Sequence, residues 1–270
     1  MKILVTGGNG VLGQAVSKLF LSCNIDFIIA SRNQKAKNYN DNNNTSSHLN
    51  HFKWIYMDLS KNEGLNKSMN NDIDTVLHLA SLPLQRIHQQ PADITLTKNL
   101  LDSIQKKNVK HFIYSSIVGI DKIPFSYYQG KLECERLIKA SGIPYTILRT
   151  TQFHDFVDAV ASKLLKFPIT FVPKSLKVQP IHVDAVAMEI YKIIKEAPLN
   201  STYDIGGKKV YNIKEIMDSL LKIRHENKLI LNMPAMGKVI QGFVKGYNTC
   251  DNIASTSSTW EEYLATKYLK

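Results

Sequence analysis

The 270-residue sequence predicts an α/β fold: a doubly wound parallel sheet with helices on both faces. Three observations carry this prediction. A glycine-spaced turn, Thr6-Gly-Gly-Asn-Gly-Val-Leu-Gly13, stands between a short apolar run and a stripe of apolar residues at helical spacing. Further short runs rich in Val, Ile and Leu alternate with such stripes along the first half of the chain. Several of these runs are apolar at successive positions, as expected for parallel strands buried on both faces.

The first unit is the most informative. Residues 3–5 are apolar and too few for a helix, so they read as a buried strand. Val11, Leu12, Ala15, Val16, Leu19 and Phe20 then recur at helical spacing. Strand, glycine turn and helix are the setting of a dinucleotide-binding turn. The first helical turn leaves backbone N–H groups unpaired and carries the positive end of the helix dipole. A pyrophosphate satisfies both where no side chain blocks its approach. Gly7 then permits the tight turn, Gly10 the close approach, and Gly13 close packing of helix on strand. Thr6, Asn9, Val11 and Leu12 complete the contact set of the turn.

Residues 27–30 are expected to form the second strand, ending in Ser31-Arg32-Asn33. In dinucleotide folds this end reaches the adenosine ribose, where a carboxylate accepts from a 2′-hydroxyl and a basic residue receives a 2′-phosphate. Arg32 stands there with no carboxylate beside it, and Lys35 and Lys37 follow. The expected cofactor is therefore NADP(H), with NAD(H) possible. Residues 38–50 are polar and low in complexity, and read as a flexible excursion.

Residues 54–57, 74–80, 111–116 and 144–149 are the next predicted strands, with helices over 60–70, 92–107 and 125–140. Asp58 follows the third strand, and Ala80 and Ser81 end the fourth, where such sheets bind ligands. His78 inside the fourth strand reads as a satisfied core residue. Beyond residue 150 the pattern is mixed. Helices are expected over 152–165, 183–195 and 213–223, and short strands over 169–172, 178–181 and 203–207. The expected organisation is a dinucleotide-binding domain over 1–150 and a smaller substrate lobe over 151–270, with the site in the cleft between them.

Lys and Arg number 34 against 23 Asp and Glu, a formal net charge of +11. The lysines are dispersed and no nucleic-acid motif accompanies them, so a field favouring anionic ligands is expected rather than a nucleic-acid partner. No apolar run approaches a membrane span, and no membrane partner is expected. The three cysteines, Cys23, Cys134 and Cys250, lie far apart without metal-type spacing. With no signal-like segment, they are expected to be reduced thiols of a cytoplasmic protein. No metal site is predicted.

Tyr127 and Lys131 form Tyr-x-x-x-Lys on a predicted helix, and residues four apart share a face. A nearby ammonium favours phenolate, so such a Tyr can exchange a proton at a carbonyl while hydride moves to or from a nicotinamide. Tyr128 also precedes Lys131 at a helical interval, and the sequence does not choose between the two tyrosines. Thr150, Thr151 and Gln152 follow the sixth strand, where they are candidates for contact with nicotinamide or substrate. His154 reads as a satisfied structural residue, and Asp184 as an acidic residue at a helix start.

The glycine turn, Tyr114-Ser-Ser-Ile-Val-Gly119, Tyr127-Tyr-Gln-Gly-Lys-Leu-Glu-Cys-Glu135, Ser141-Gly-Ile-Pro-Tyr-Thr-Ile-Leu-Arg149, Thr151-Gln-Phe-His-Asp155, Gln179-Pro-Ile-His-Val-Asp184 and Thr259-Trp-Glu-Glu-Tyr-Leu264 together resemble one family. It is the short-chain dehydrogenase/reductase superfamily, in its atypical, NmrA-like, NAD(P)H-binding branch. The resemblance implies a Rossmann-type sheet with a small C-terminal substrate lobe. It implies cofactor contacts at Gly7, Gly10, Gly13, Arg32, Asp58 on the adenine side, Ala80 and Lys131, joined by Ser81, Ser115 and Thr150 at strand ends. It implies catalysis by Tyr127 or Tyr128 with Lys131. The superfamily's Ser or Thr after the fifth strand falls at Ile117, so Ser116 is the candidate substitute. The implied function is an NADPH-dependent oxidoreductase that transfers hydride to a small carbonyl or quinone-like substrate, as monomer or homodimer. A non-catalytic NADP(H) sensor is the alternative, with a nucleotide-sugar epimerase or dehydratase ranked below it.

Overall fold

The computed structural model describes residues 1–33, 52–65, 73–82, 92–105 and 107–269. Its elements in chain order are β1 (Ile3–Thr6), α1 (Val11–Ser22), β2 (Phe27–Ser31), β3 (Phe52–Tyr56), β4 (Thr75–His78), α2 (Ala92–Ile104), β5 (His111–Ile117), α3 (Ser126–Ala140), β6 (Tyr145–Thr150) and α4 (His154–Leu164). There follow β7 (Ile169–Val172), β8 (Lys177–Val178), α5 (Val183–Lys195), β9 (Ser201–Ile205), β10 (Tyr211–Asn212), α6 (Ile213–Ile223), β11 (Leu229–Asn232), α7 (Lys238–Val244) and α8 (Trp260–Tyr268).

Seven strands form one sheet in the order β3-β2-β1-β4-β5-β6-β9. The β1 to β5 ladders are parallel, with Ile3 opposite both Phe27 and Thr75. This is the Rossmann-type order, and it reverses between β1 and β4, the switch point at which such sheets bind ligands. The contacts of the chain group into two compact units that interleave in sequence. One comprises Met1–Ser116, Gln129–Leu148 and Ala187–Tyr203; the other comprises Ile117–Tyr128, Arg149–Val186 and Asp204–Lys270. The chain passes between units five times, within β5, α3, β6, α5 and β9.

The first unit buries Leu4, Ile28, Val76, Leu100, Phe112 and Ile147 in its core. Leu96, Leu100 and Ile104 of α2 recur at helical spacing, which is why that helix has one apolar stripe to bury. The second unit packs Ala161, Val172, Ile216, Leu220, Trp260 and Leu264 together. Its α6 starts with a capping box in which the Asn212 side chain accepts from Glu215 N–H and Glu215 accepts from Asn212 N–H. Thr259 and Glu262 repeat that arrangement at the start of α8.

Three expectations change. The helix predicted over 60–70 is a turn where it is described as far as Gly64, because Asp58 Oδ1 accepts from Ser60 N–H (2.9 Å) and Lys61 N–H (3.3 Å). Gly64 there has φ of +79°. The strand predicted over 178–181 stops at Val178. Pro180 has no N–H for a ladder, and the Gln179 side chain instead donates to Gly207 O (2.9 Å) and Cys250 O (3.0 Å). The additions are β10, β11, α7 and α8, which the sequence pattern left unassigned. The polar stretch 38–50, Lys35 and Lys37 lie outside the described residues.

Among the described residues three histidines are buried. His78 meets Thr6 Oγ1 (2.7 Å) and Thr97 Oγ1 (3.1 Å), so it is satisfied as expected. His111 Nε2 meets Thr146 Oγ1 (2.8 Å). His154 departs from expectation: it is core, but neither ring nitrogen has a hydrogen-bond partner. Its ring stacks on Tyr263 (4.9 Å) and lies 6.0 Å from Trp260. Burial is the main cause that holds all three imidazoles neutral, lowering His78 to about 3 and His111 and His154 to about 4.

Two outcomes are expected. The unfolded chain binds protons at these histidines below its ordinary imidazole pKa and the folded chain does not, so stability is fully present above about pH 6.5 and falls below it. The loss between about pH 7 and pH 5 should be roughly 1–2 kcal/mol per histidine, read by denaturant titration across pH. Trp260→Ala should destabilise the second unit by about 3–5 kcal/mol in the same assay, because the indole is fully buried and its N–H donates to Ile216 O (3.3 Å).

Candidate dinucleotide site

At the carboxyl ends of β1, β2 and β4 the first unit holds a cavity of about 280 Å³. Thr6, Gly7, Asn9, Gly10, Arg32, Asp58, Ala80 and Ser81 line it, all residues singled out from the sequence. Met57, Leu59, Leu79, Leu82 and Leu96 add apolar wall, which suits the flat faces of a purine.

The turn is shaped by close approach. Gly7 has φ of +74°, and a Cβ there would lie 2.5 Å from Ala80 N. A Cβ on Gly13 would lie 2.4 Å from Gly7 O, so the first turn of α1 packs directly on the loop that precedes it. Gly10 differs: the nearest atom to an added Cβ is Gly7 O at 3.3 Å, and the residue faces the cavity. Gly10 is also the N-cap of α1, with no side-chain cap and no acidic residue in the first turn. That helix end therefore offers unpaired N–H groups and a positive dipole to an anion.

Arg32 is held in place by the turn on either side of it. Asn9 Nδ2 donates to Ser31 Oγ (3.0 Å) and to Asn33 O (2.7 Å). Ser31 Oγ also accepts from Trp54 Nε1 (2.9 Å) and donates to Asn33 O (2.8 Å). The Arg32 side chain is left exposed at the cavity mouth. Burial works to raise the Asp58 pKa, but hydrogen bonds from Ser60 and Lys61, with the charge of Arg32, hold its carboxyl below the ordinary carboxylate range. Asp58 thus stands ionised on the cavity wall, able to accept from an amino group.

Lys131 does not line the cavity but is tied to its wall. Its Nζ lies 3.4 Å from Asp93 Oδ2, donates to Ser115 O (3.4 Å), and sits 4.8 Å from the centre of the Tyr114 ring. Both charges are almost fully buried, Lys131 4% and Asp93 2% exposed. Asp93 in turn accepts from Ser81 Oγ (2.7 Å) and Leu82 N–H (2.8 Å), two residues of the cavity wall. The Tyr114 ring stacks on His78 (5.5 Å), and His78 meets Thr6. A buried polar network therefore runs from the glycine turn to Lys131.

The other candidates lie apart from the cavity lining. Ser116 is buried and its Oγ donates to Glu135 Oε1 (2.6 Å). Ser115 contributes its carbonyl to Lys131. Val11 and Leu12 belong to α1, with Val11 exposed and Leu12 in the core. Thr150 is buried, and its carbonyl accepts from Val118 N–H (3.0 Å). Tyr128 is buried in the second unit, 5.4 Å from the Phe125 ring and 6.4 Å from Phe243, and burial pushes its phenol up to about 12. Tyr127 is half-buried, with its ring 6.4 Å from Phe125. Among the described residues no cluster of His, Cys, Asp and Glu can hold a metal ion. Sequence reasoning missed Asp93, Trp54 and Ser31. Of these, only Asp93 left a signal, as an acidic residue in the first turn of a helix beside the cavity.

The profile of the NAD dependent epimerase/dehydratase family matches residues 3–120, the span that contains the whole cavity lining. Photosystem II assembly factor Ycf39 from Trieres chinensis is 23% identical over 94% of this chain and 80% of its own length. Among solved structures, an NADPH-dependent quinone oxidoreductase from Escherichia coli superposes with a TM-score of 0.76 at 16% identity, covering 98% of this chain and 99% of that one. A UDP-glucuronic acid 4-epimerase from Bacillus cereus in complex with NAD gives a TM-score of 0.75 at 21% identity, covering 99% and 97%. Those likenesses are of fold. The family match adds that residues 3–120, the span of the glycine turn and the cavity it builds, are similar to the NAD dependent epimerase/dehydratase family.

Proposed function

We propose that the protein is an NADPH-dependent oxidoreductase that passes hydride to a small quinone-like or carbonyl acceptor. The observation that carries the reading is the cavity itself: an uncapped helix end at Gly10, with Arg32 and no carboxylate at the end of β2. Gly7, Gly10 and the first N–H groups of α1 would hold the pyrophosphate, Arg32 a 2′-phosphate, and Asp58 the adenine amino group. A bound nicotinamide supplies the hydride.

Tyr127 is the proton donor to the acceptor oxygen in this reading. It stands four residues before Lys131 on α3 and is the more accessible of the two tyrosines. Tyr128 keeps its proton and packs. Ile117 lacks a hydroxyl, and Ser116 Oγ donates its hydrogen bond to Glu135, so the acceptor oxygen meets one donor fewer than in a full triad. That favours a quinone over a simple ketone, because the oxyanion left by hydride addition to a quinone is stabilised by its own aromatic ring. Lys131 serves as the charge behind the site and, through Asp93, as a brace for the cavity wall.

Ile117 and the engagement of Lys131 with Asp93 also favour a second reading, an NADP(H) sensor without turnover. Fold alone does not choose between the two. A cytoplasmic location agrees with the free Cys23, Cys134 and Cys250. We assign a small-molecule substrate, no nucleic-acid partner, and a monomer or homodimer.

Fluorescence titration with NADPH and NADH, followed by nicotinamide absorbance with 1,4-benzoquinone added, separates these readings. The oxidoreductase predicts tighter NADPH binding and steady oxidation; the sensor predicts binding without oxidation; binding neither ends both. Arg32→Glu should weaken NADPH binding by about tenfold or more and leave NADH binding within about twofold. Lys131→Met should abolish turnover and destabilise the fold by about 3–5 kcal/mol, because Asp93 is left buried and unpaired. The double variant Lys131→Met/Asp93→Leu should regain stability without regaining turnover; recovered turnover would make the lysine structural only.

A further inference from the structure

The strands β7 and β11 form a two-stranded parallel ladder in the second unit, with Ile169 opposite Leu229 and Phe171 opposite Leu231. One face is buried: Thr170, Val172 and Ile230 point into the core with α4 and α6. The other face follows from the period of two in a strand, and it is apolar at every position. On the ladder itself Ile169 and Phe171 stand on one strand and Leu229 and the half-buried Leu231 on the other, with exposed Phe167 just before β7 and exposed Met233 just after β11. Phe167 is 68% exposed and Phe171 58%. Parallel ladders are ordinarily covered on both faces, because neither face is polar. Scattered surface apolar residues need no explanation, but four on one ladder face with two more at its ends mark an interaction surface.

The charges beside the ladder select the occupant. Lys166 and Lys174 flank β7 in sequence, and Lys222 shares with Leu229 and Pro168 an open groove at the start of β11. None of these lysines makes an ion pair among the described residues. The carboxylates of the same groove are already engaged, Asp218 with Lys214 and Glu226 with Lys228. A second copy docked face to face by twofold symmetry would bring these unpaired cations toward their own equivalents. An anionic lipid surface meets both features, receiving apolar side chains below its headgroups and lysines at their level.

We propose that this face is a peripheral docking surface for an anionic lipid bilayer. It requires no membrane span, and among the described residues no helix is long and apolar enough to form one. Because the whole chain carries a formal charge of +11, the test must separate insertion from simple adsorption.

The test is co-sedimentation of the full chain with vesicles of phosphatidylcholine alone, and with vesicles in which about a third is phosphatidylglycerol. Binding to the mixed vesicles and not to the neutral ones is expected. The Phe167→Ser/Phe171→Ser double variant keeps every charge and should lose about tenfold or more in binding. The Lys166→Glu/Lys174→Glu double variant keeps the apolar face and should lose a similar amount. An unbound wild-type chain, or undiminished binding by the serine variant, would overturn the proposal. So would a wild-type dimer in sedimentation equilibrium that the serine variant dissociates, since a second copy would then be the cover.

Discussion

Everything at the carboxyl edge of the sheet depends on how closely the first helix approaches the first strand. The two backbones meet where a Cβ on Gly13 would stand 2.4 Å from Gly7 O. Gly7 itself turns with φ of +74° against Ala80 N, so the turn is also pressed against the end of β4. No side chain of any size satisfies both contacts. The approach aims the uncapped start of α1 across the point where the strand order reverses. The cavity is a consequence of that aim, and the anion it suits follows from the unpaired N–H groups at its rim.

The second organising feature is polar and buried. Thr6, His78, Tyr114, Lys131, Asp93 and Ser81 touch in series from the glycine turn to α3. Buried charges are tolerated only when paired and hydrogen-bonded, and Asp93 meets that condition with an ammonium, a hydroxyl and a backbone N–H. The network is thus a device for position rather than a large source of stability. It holds the β4 end of the cavity wall and the lysine of Tyr-x-x-x-Lys in one frame. His78 lies inside that frame and stays neutral because burial and the nearby ammonium both disfavour its charge.

The second unit shows a different economy. Its core is closed by Trp260 and Tyr263 of α8, which stack on each other (5.4 Å) and cover His154. His154 is held by rings instead of hydrogen bonds, so its two nitrogens stay unpartnered at the cost of any charge. The ladder of β7 and β11 is the converse case, an apolar face with no layer over it among the described residues.

The parallel sheet and the lining of the glycine turn were legible in the sequence, because strands, turn and helix write local, periodic patterns; the strand order came only from the structure. Arg32 and Asp58 were legible for the same reason: each stands within two positions of the end of a recognisable strand. Asp93 was not, since nothing local ties an acidic residue at a helix start to a lysine 38 positions on; only the packing of α2 beside α3 brings them to 3.4 Å. Nor was the fate of Ser116, whose hydroxyl is taken by Glu135 one strand-to-helix crossing away. By itself the sequence determined what the chain can bind at its first turn, because glycine spacing and a helix end are local matters. Tertiary structure alone decided which side chains remain available for chemistry, because burial and pairing are set by neighbours distant in the chain.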